Sequence, residues 1–133
     1  MEAKKQKTPP PKKILLVDDE PDVVALFKMD LERLGYQVGT AYNGVEAVLL
    51  VLDEGWDTII LDIQMPVLDG LSAFRIIQRI APDTPVVMLT GKAIQQDMLD
   101  SVAMGAHTCL LKPVPLAKLR EILFQINSNH PAH

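Results

Sequence analysis

Thr58-Ile59-Ile60-Leu61-Asp62-Ile63-Gln64-Met65-Pro66-Val67-Leu68-Asp69-Gly70-Leu71 is the stretch that decides how this chain folds. Apolar residues rich in β-branching run into Asp62, and Pro66 followed by Asp69-Gly70 stops anything regular from continuing. A strand is therefore expected over residues 57–61, ending in a loop at which the Asp62 carboxylate is exposed to a ligand. Asp69 belongs to the turn.

The same design recurs on both sides of this stretch. Ile14-Leu15-Leu16-Val17 leads into Asp18-Asp19-Glu20, Val86-Val87-Met88-Leu89 into Thr90-Gly91, and Thr108-Cys109-Leu110-Leu111 into Lys112-Pro113. Apolar runs this short, bounded by turn chemistry, read as buried strands of a parallel sheet. All carboxyl ends of such a sheet lie along one edge, where ligands bind at the topological switch point. Asp18, Asp19, Asp62, Thr90 and Lys112 are thus expected to converge.

Helical spacing fills the intervals. Pro21 opens a helix with Val24, Phe27, Leu31 and Leu34 inward, closed by Gly35. A more polar strand over 36–42 suits a sheet edge. Asn43 caps a second helix, with Glu46 completing a capping box and Val45, Val48, Leu49 and Leu52 as its buried stripe. Gly70 begins a third with Leu71, Phe74, Ile77 and Ile80 inward, and Trp56 and Phe74 are core or near-core aromatics. Residues 93–104 carry a thinner stripe, Ile94, Met98 and Val102; Pro115 starts a last helix along Leu116, Leu119, Leu123 and Ile126. Five alternations with short connections call for a doubly wound, three-layer α/β domain with a parallel sheet.

The 133 residues, 48% hydrophobic, suffice for one core. Residues 1–12, lysine- and proline-rich, and 128–133 read as polar tails around a domain at 13–127. A net charge of −4 and a pI near 5.3 give no footprint for nucleic acid. The single Cys109, inside an apolar run, excludes an internal disulfide and reads as a buried, inert thiol. With no apolar stretch of membrane-spanning length and no signal-peptide pattern, a cytoplasmic location is expected.

Carboxylates gathered on one edge repel, by about 4 kcal/mol per pair at roughly 4 Å and an effective dielectric near 20. A hard divalent cation relieves this, and a few carboxylates with open water positions suit Mg²⁺ in phosphoryl transfer, with Asp18 and Asp19 as anchors and Asp62 as third ligand. An ionised carboxylate is itself a nucleophile toward phosphorus, so Asp62 needs no separate base. Lys112 and Thr90 supply a charge and a hydroxyl for the phosphoryl oxygens. The constellation reads as an aspartyl-phosphate site.

At this point the chain closely resembles the receiver domains of two-component response regulators, over about residues 13–126. The resemblance is carried by Asp18-Asp19, Asp62 with Met65-Pro66 and Asp69-Gly70, Thr90-Gly91, and Lys112-Pro113 at the family's spacing. It implies a flavodoxin-like fold with strand order 2-1-3-4-5, and a signalling switch that promotes its own phosphorylation and dephosphorylation rather than an enzyme. Asp62 would take a phosphoryl group from a sensor histidine kinase or histidine phosphotransfer protein. Asp19, Asp18, Asp62 and the backbone carbonyl of Gln64 would hold Mg²⁺ or Mn²⁺, and Lys112-Pro113 would be cis. Phosphorylation would draw Thr90 and Lys112 inward and alter the face formed by the fourth helix, fifth strand and last helix. A downstream protein, an output domain or a second copy would read that face, with no direct contact to nucleic acid or membrane. The side chains of Gln64 and Lys92 would flank the water that hydrolyses the phosphate. Cys109 stands where the family usually carries an aromatic switch residue.

Three other readings compete. A flavin carrier on the same fold needs a donor-rich phosphate loop after the first strand, where this chain has Asp18-Asp19-Glu20. A phosphoester hydrolase usually has a second acid two residues after the nucleophile, where Gln64 stands. A receiver degraded to a binding platform is opposed by the complete acidic, threonine and lysine set. His107, His130 and His133 lack metal-ligand spacing and read as a strand-start residue and tail residues.

Overall fold

The structure, a computed structural model, describes residues 12–91 and 95–129. Strands and helices alternate as β1 (Lys13–Val17), α1 (Pro21–Arg33), β2 (Gln37–Ala41), α2 (Gly44–Asp53), β3 (Thr58–Asp62), α3 (Gly70–Ile80), β4 (Val86–Thr90), α4 (Gln95–Ala103), β5 (Thr108–Leu111) and α5 (Leu116–Asn129). All four strand pairings are parallel, in the order β2-β1-β3-β4-β5, so the more polar β2 does lie at an edge. Because β2 and β3 lie on opposite sides of β1, the crevice between the carboxyl ends of β1 and β3 is the switch point at which such sheets bind ligands.

Alternation along the strands builds two cores. Leu15, Val17, Ile59, Leu61, Val86 and Met88 pack beneath α2 and α3 with Ala47, Val51, Phe74 and Ile77. Ile14, Leu16, Ile60, Val87 and Leu89 face the other way, against Val24 and Leu31 of α1 and Leu119, Leu123 and Ile126 of α5. A residue shift of one would exchange the two sets, which is why the register is so strongly specified.

Helix α2 departs from the sequence expectation. Its sheet-facing residues are Gly44, Ala47 and Val51, while Val45, Leu49 and Leu52, expected inside, are 42%, 55% and 59% exposed. Apolar residues cover both faces of this helix, so periodicity could not choose between them; close approach did. A Cβ added at Gly44 would lie 2.4 Å from the Leu68 carbonyl oxygen, and only a small residue lets the helix sit that near. Half of the expected capping box is present: Asn43 Oδ1 accepts from the Glu46 N–H at 2.9 Å, while Glu46 Oε1 reaches past the cap and accepts from the Tyr42 N–H at 2.8 Å.

In α4, Val102 is exposed, Met98 half-buried, and Ser101 fully buried with its hydroxyl donating to the Met98 carbonyl at 2.9 Å. The buried face therefore runs along a serine, which an apolar-stripe search passes over; Ile94 lies outside the described residues. Leu34, expected inward on α1, is its partly exposed C-cap, and Gly35 follows at φ +98°. Phe74 is in the core, and half-buried Trp56 donates its indole N–H to the Leu50 carbonyl at 3.1 Å. Asp69 serves as the N-cap of α3, accepting from the Ser72 N–H at 2.9 Å.

Candidate functional site

Four strand ends place the side chains that the spacing singled out. Asp18 directly follows β1; its N–H donates to the Ala41 carbonyl at 3.2 Å, and its Oδ1 accepts from the Glu20 N–H at 3.0 Å. Asp62 is the last residue of β3, with Oδ1 accepting from the Gln64 N–H at 3.1 Å. Lys112 follows β5, its N–H donating to the Thr90 carbonyl at 2.7 Å, and its bond to Pro113 is cis. From there its ammonium donates to Asp18 Oδ2 at 2.8 Å and to Asp62 Oδ2 at 3.0 Å. Asp18, Asp19 and Asp62 each present an oxygen within 4.8 Å of the others.

Two features differ from the sequence reading. Asp62 and Asp18 are each only 1% exposed, because Lys112 lies between them; Asp19 alone of the three is exposed. The ammonium thereby relieves the repulsion for which a cation was invoked. Thr90, fully buried at the end of β4, is reached by the Gln64 side chain, which the family resemblance brought to the site but not onto this residue: Gln64 donates from Nε2 to Thr90 Oγ1 at 2.9 Å and accepts the Gly91 N–H on Oε1, also at 2.9 Å. Glu20, 3.8 Å from the Lys112 ammonium, is a further acid that sequence reading left without a role, though its position in the Asp18-Asp19-Glu20 run could have signalled it.

Burial pushes the Asp62 carboxyl up to about 6 despite the opposing hydrogen bond and charge of Lys112. Burial also pulls on the lysine, but its two carboxylate partners outweigh that and hold its pKa above the ordinary value. The folded chain thus keeps a proton on Asp62 between about pH 4 and pH 6, where the unfolded chain has lost it. The contribution of this group to stability must fall as pH rises through that window, by up to about 3 kcal/mol in divalent-free buffer. Urea unfolding across this range should show the fall as a widening difference between wild type and Asp62→Asn, which cannot titrate; parallel pH profiles would refute it.

Cys109, expected buried, is half-buried on β5 against the core beneath α2 and α3. The sheet edge next to it offers less cover than the interior of an apolar run suggests. His107 is exposed at the start of β5, while Lys92, His130 and His133 lie outside the described residues, as do residues 1–11 of the expected N-terminal tail. Among the described residues no helix is long and apolar enough to cross a membrane.

Comparison with known proteins bears on this arrangement. The family model for the response regulator receiver domain matches residues 14–124. The chain is 37% identical over 107 residues to the transcriptional regulatory protein PrrA of Mycobacterium tuberculosis, covering 80% of this chain but 46% of that protein, so it spans about half the length of that relative. A two-component response regulator from Clostridium difficile superposes with a TM-score of 0.87 at 27% identity, over 91% of this chain and 99% of that one. Response regulator TrrA of Thermotoga maritima, solved in complex with Mg²⁺ and a beryllium fluoride, gives 0.78 at 34% identity, over 86% of this chain and 98% of that one. With the sheet order, the strand-end acids and the lysine in place, the chain belongs to the response regulator receiver domains of two-component systems, which are signalling switches.

Proposed function

We propose that Asp62 is the phosphoacceptor of this switch. The observation that carries the reading is the Lys112 ammonium held within 3.0 Å of both Asp18 and Asp62, at the β1/β3 switch point and next to Thr90. A carboxylate oxygen of Asp62 attacks the phosphorus of a phosphohistidine on a sensor kinase or phosphotransfer protein. The P–O bond forms as the P–N bond breaks, and the imidazole leaves with its electron pair. Lys112 and the Thr90 hydroxyl then hold phosphoryl oxygens. Hydrolysis of the acyl phosphate returns Asp62.

The acidic set fits a magnesium ion. Three carboxylates, each with an oxygen within 4.8 Å of the others, offer the hard oxygen ligands such a cation takes. Asp18, Asp19, Asp62 and the Gln64 backbone carbonyl would hold it, Mn²⁺ being the alternative, and the bound ion supplies charge neutralisation for the transferring group. A dication beside Asp62 would oppose the effect of burial on that carboxyl and favour the ionised, nucleophilic form.

For output, exposed Leu99 and Val102 of α4, Leu111 of β5 and Phe124 of α5 support a face read by a downstream protein, an output domain or a second copy in the cytoplasm. Cys109 is too small to swing as an aromatic would, so that face is altered through the backbone.

Intact-mass analysis after incubation with Mg²⁺ and a small acyl phosphate tests the assignment. One phosphoryl group should be gained by the parent and none by Asp62→Asn. An equal gain in both chains would remove Asp62 from the role.

A further inference from the structure

The Gln64 side chain crosses from the β3 end to the β4 end and ends on two hydrogen-bond donors. The Gly91 N–H can only donate, so the amide atom 2.9 Å from it is the carbonyl oxygen, Oε1. That oxygen also lies 3.2 Å from the Thr90 hydroxyl, while Nε2 donates to the same hydroxyl at 2.9 Å. A partly negative oxygen therefore sits between a hydroxyl and a backbone N–H. Resting on the reading of Asp62 as phosphoacceptor, these are the donors that a phosphoryl oxygen on Asp62 would require.

Two more observations bear on the side chain. The Gln64 N–H donates to Asp62 Oδ1, which fixes the backbone of residue 64 beside the acceptor, and its side chain is half-buried. A Cβ placed on Gly91 would meet, among the described residues, nothing nearer than Gln64 Oε1 at 3.9 Å. Gly91 thus leaves space beside the amide, which is tied to Thr90 and to the Gly91 N–H by hydrogen bonds.

We propose that the Gln64 amide is an internal occupant of the phosphoryl-oxygen seat formed by Thr90 and Gly91, and that loading of Asp62 requires its displacement. Gln64 is then a positioning residue. It competes with the phosphoryl group and sets how readily the switch turns on, with no part in bond making. A simple tie between the β3 and β4 ends would have the opposite consequence, because removing a tie loosens the seat and weakens binding.

The test uses beryllofluoride as the phosphoryl mimic at saturating Mg²⁺, on wild type, Gln64→Ala and Gln64→Asn, which is too short to reach Gly91. Titration calorimetry should show binding roughly threefold to tenfold tighter in both variants, the scale of two neutral hydrogen bonds no longer broken on loading. The affinity for Mg²⁺ alone should stay within about twofold, since the proposed ligand at residue 64 is the backbone carbonyl. Without metal or mimic, the Gly91 amide should exchange faster in both variants, as its acceptor is gone. Unchanged or weaker beryllofluoride binding with Mg²⁺ affinity intact overturns the occupant and leaves the phosphoacceptor reading standing. Failure of all three chains to bind beryllofluoride overturns both.

Discussion

Replacing Lys112 with methionine is expected to destabilise the metal-free protein by about 3 kcal/mol at pH 7, the scale for removing one partner of a buried pair. Its ammonium is the cation shared by Asp18 and Asp62, each 1% exposed, at 2.8 and 3.0 Å. Methionine fills a similar volume and leaves two buried carboxylates facing each other. The loss should therefore depend on conditions. At about pH 5 the carboxyl of Asp62, already raised to about 6 with the lysine present, takes up a proton and much of the penalty disappears. Millimolar Mg²⁺ should restore stability at pH 7, because the dication compensates the same pair. Urea unfolding at two pH values, with and without Mg²⁺, checks each arm. A penalty indifferent to both would assign Lys112 a packing role. Phosphorylation by a small acyl phosphate should slow at least about a hundredfold even where Mg²⁺ restores the fold, the usual scale for losing one preorganised charge partner in a reaction of this kind.

The substitution Gly70→Ala carries a second large effect, and of unexpected sign. Alanine is favoured over glycine by about 1 kcal/mol inside helices, and Gly70 is the first residue of α3. Here its Cβ would fall 2.1 Å from the Asp62 carbonyl oxygen and 2.6 Å from Ile63 Cα, both backbone atoms with nowhere to go. The Gly70 N–H also donates to the Ile63 carbonyl at 2.8 Å, so α3 cannot retreat without breaking that bond. A loss of about 3 kcal/mol is expected, at the upper end for overpacking a close-packed interior. Because the nearest displaced atom is the Asp62 carbonyl oxygen, phosphorylation should fall in the molecules that remain folded. Gly55→Ala is the control: nothing lies within 4 Å of its added Cβ, and its unfolding free energy should move by less than about 0.5 kcal/mol. Equal effects at the two positions would mean that the contact at Gly70 relaxes.

The wedge at Gly70 and the bridge at Lys112 mark where sequence and tertiary structure divide. The turn around Asp69-Gly70 could be read from residue types, because glycine and aspartate punctuate chains for local reasons. That Gly70 must lie against the Asp62 carbonyl could not, since nothing local encodes the distance between α3 and the end of β3. The second helix shows the same division. Val45, Leu49 and Leu52 have the spacing of a buried stripe and point outward, because Gly44, Ala47 and Val51 let the opposite face approach more closely. Hydrophobic periodicity identifies a helix reliably but not its buried face when both faces are apolar.

By itself the amino-acid order determined the parallel sheet, its alternation with helices and the edge on which Asp18, Asp19, Asp62, Thr90 and Lys112 meet. Short apolar runs bounded by turn residues leave few other ways to bury them, and parallel strands bring their carboxyl ends to one side whatever the details. Only the tertiary structure decided that Asp62 is covered, that an ammonium lies between two of the acids, and that the Gln64 amide reaches Thr90 and the Gly91 N–H. Those are matters of a few tenths of an ångström between side chains far apart in the chain, and they follow from packing and charge compensation, which no local pattern records.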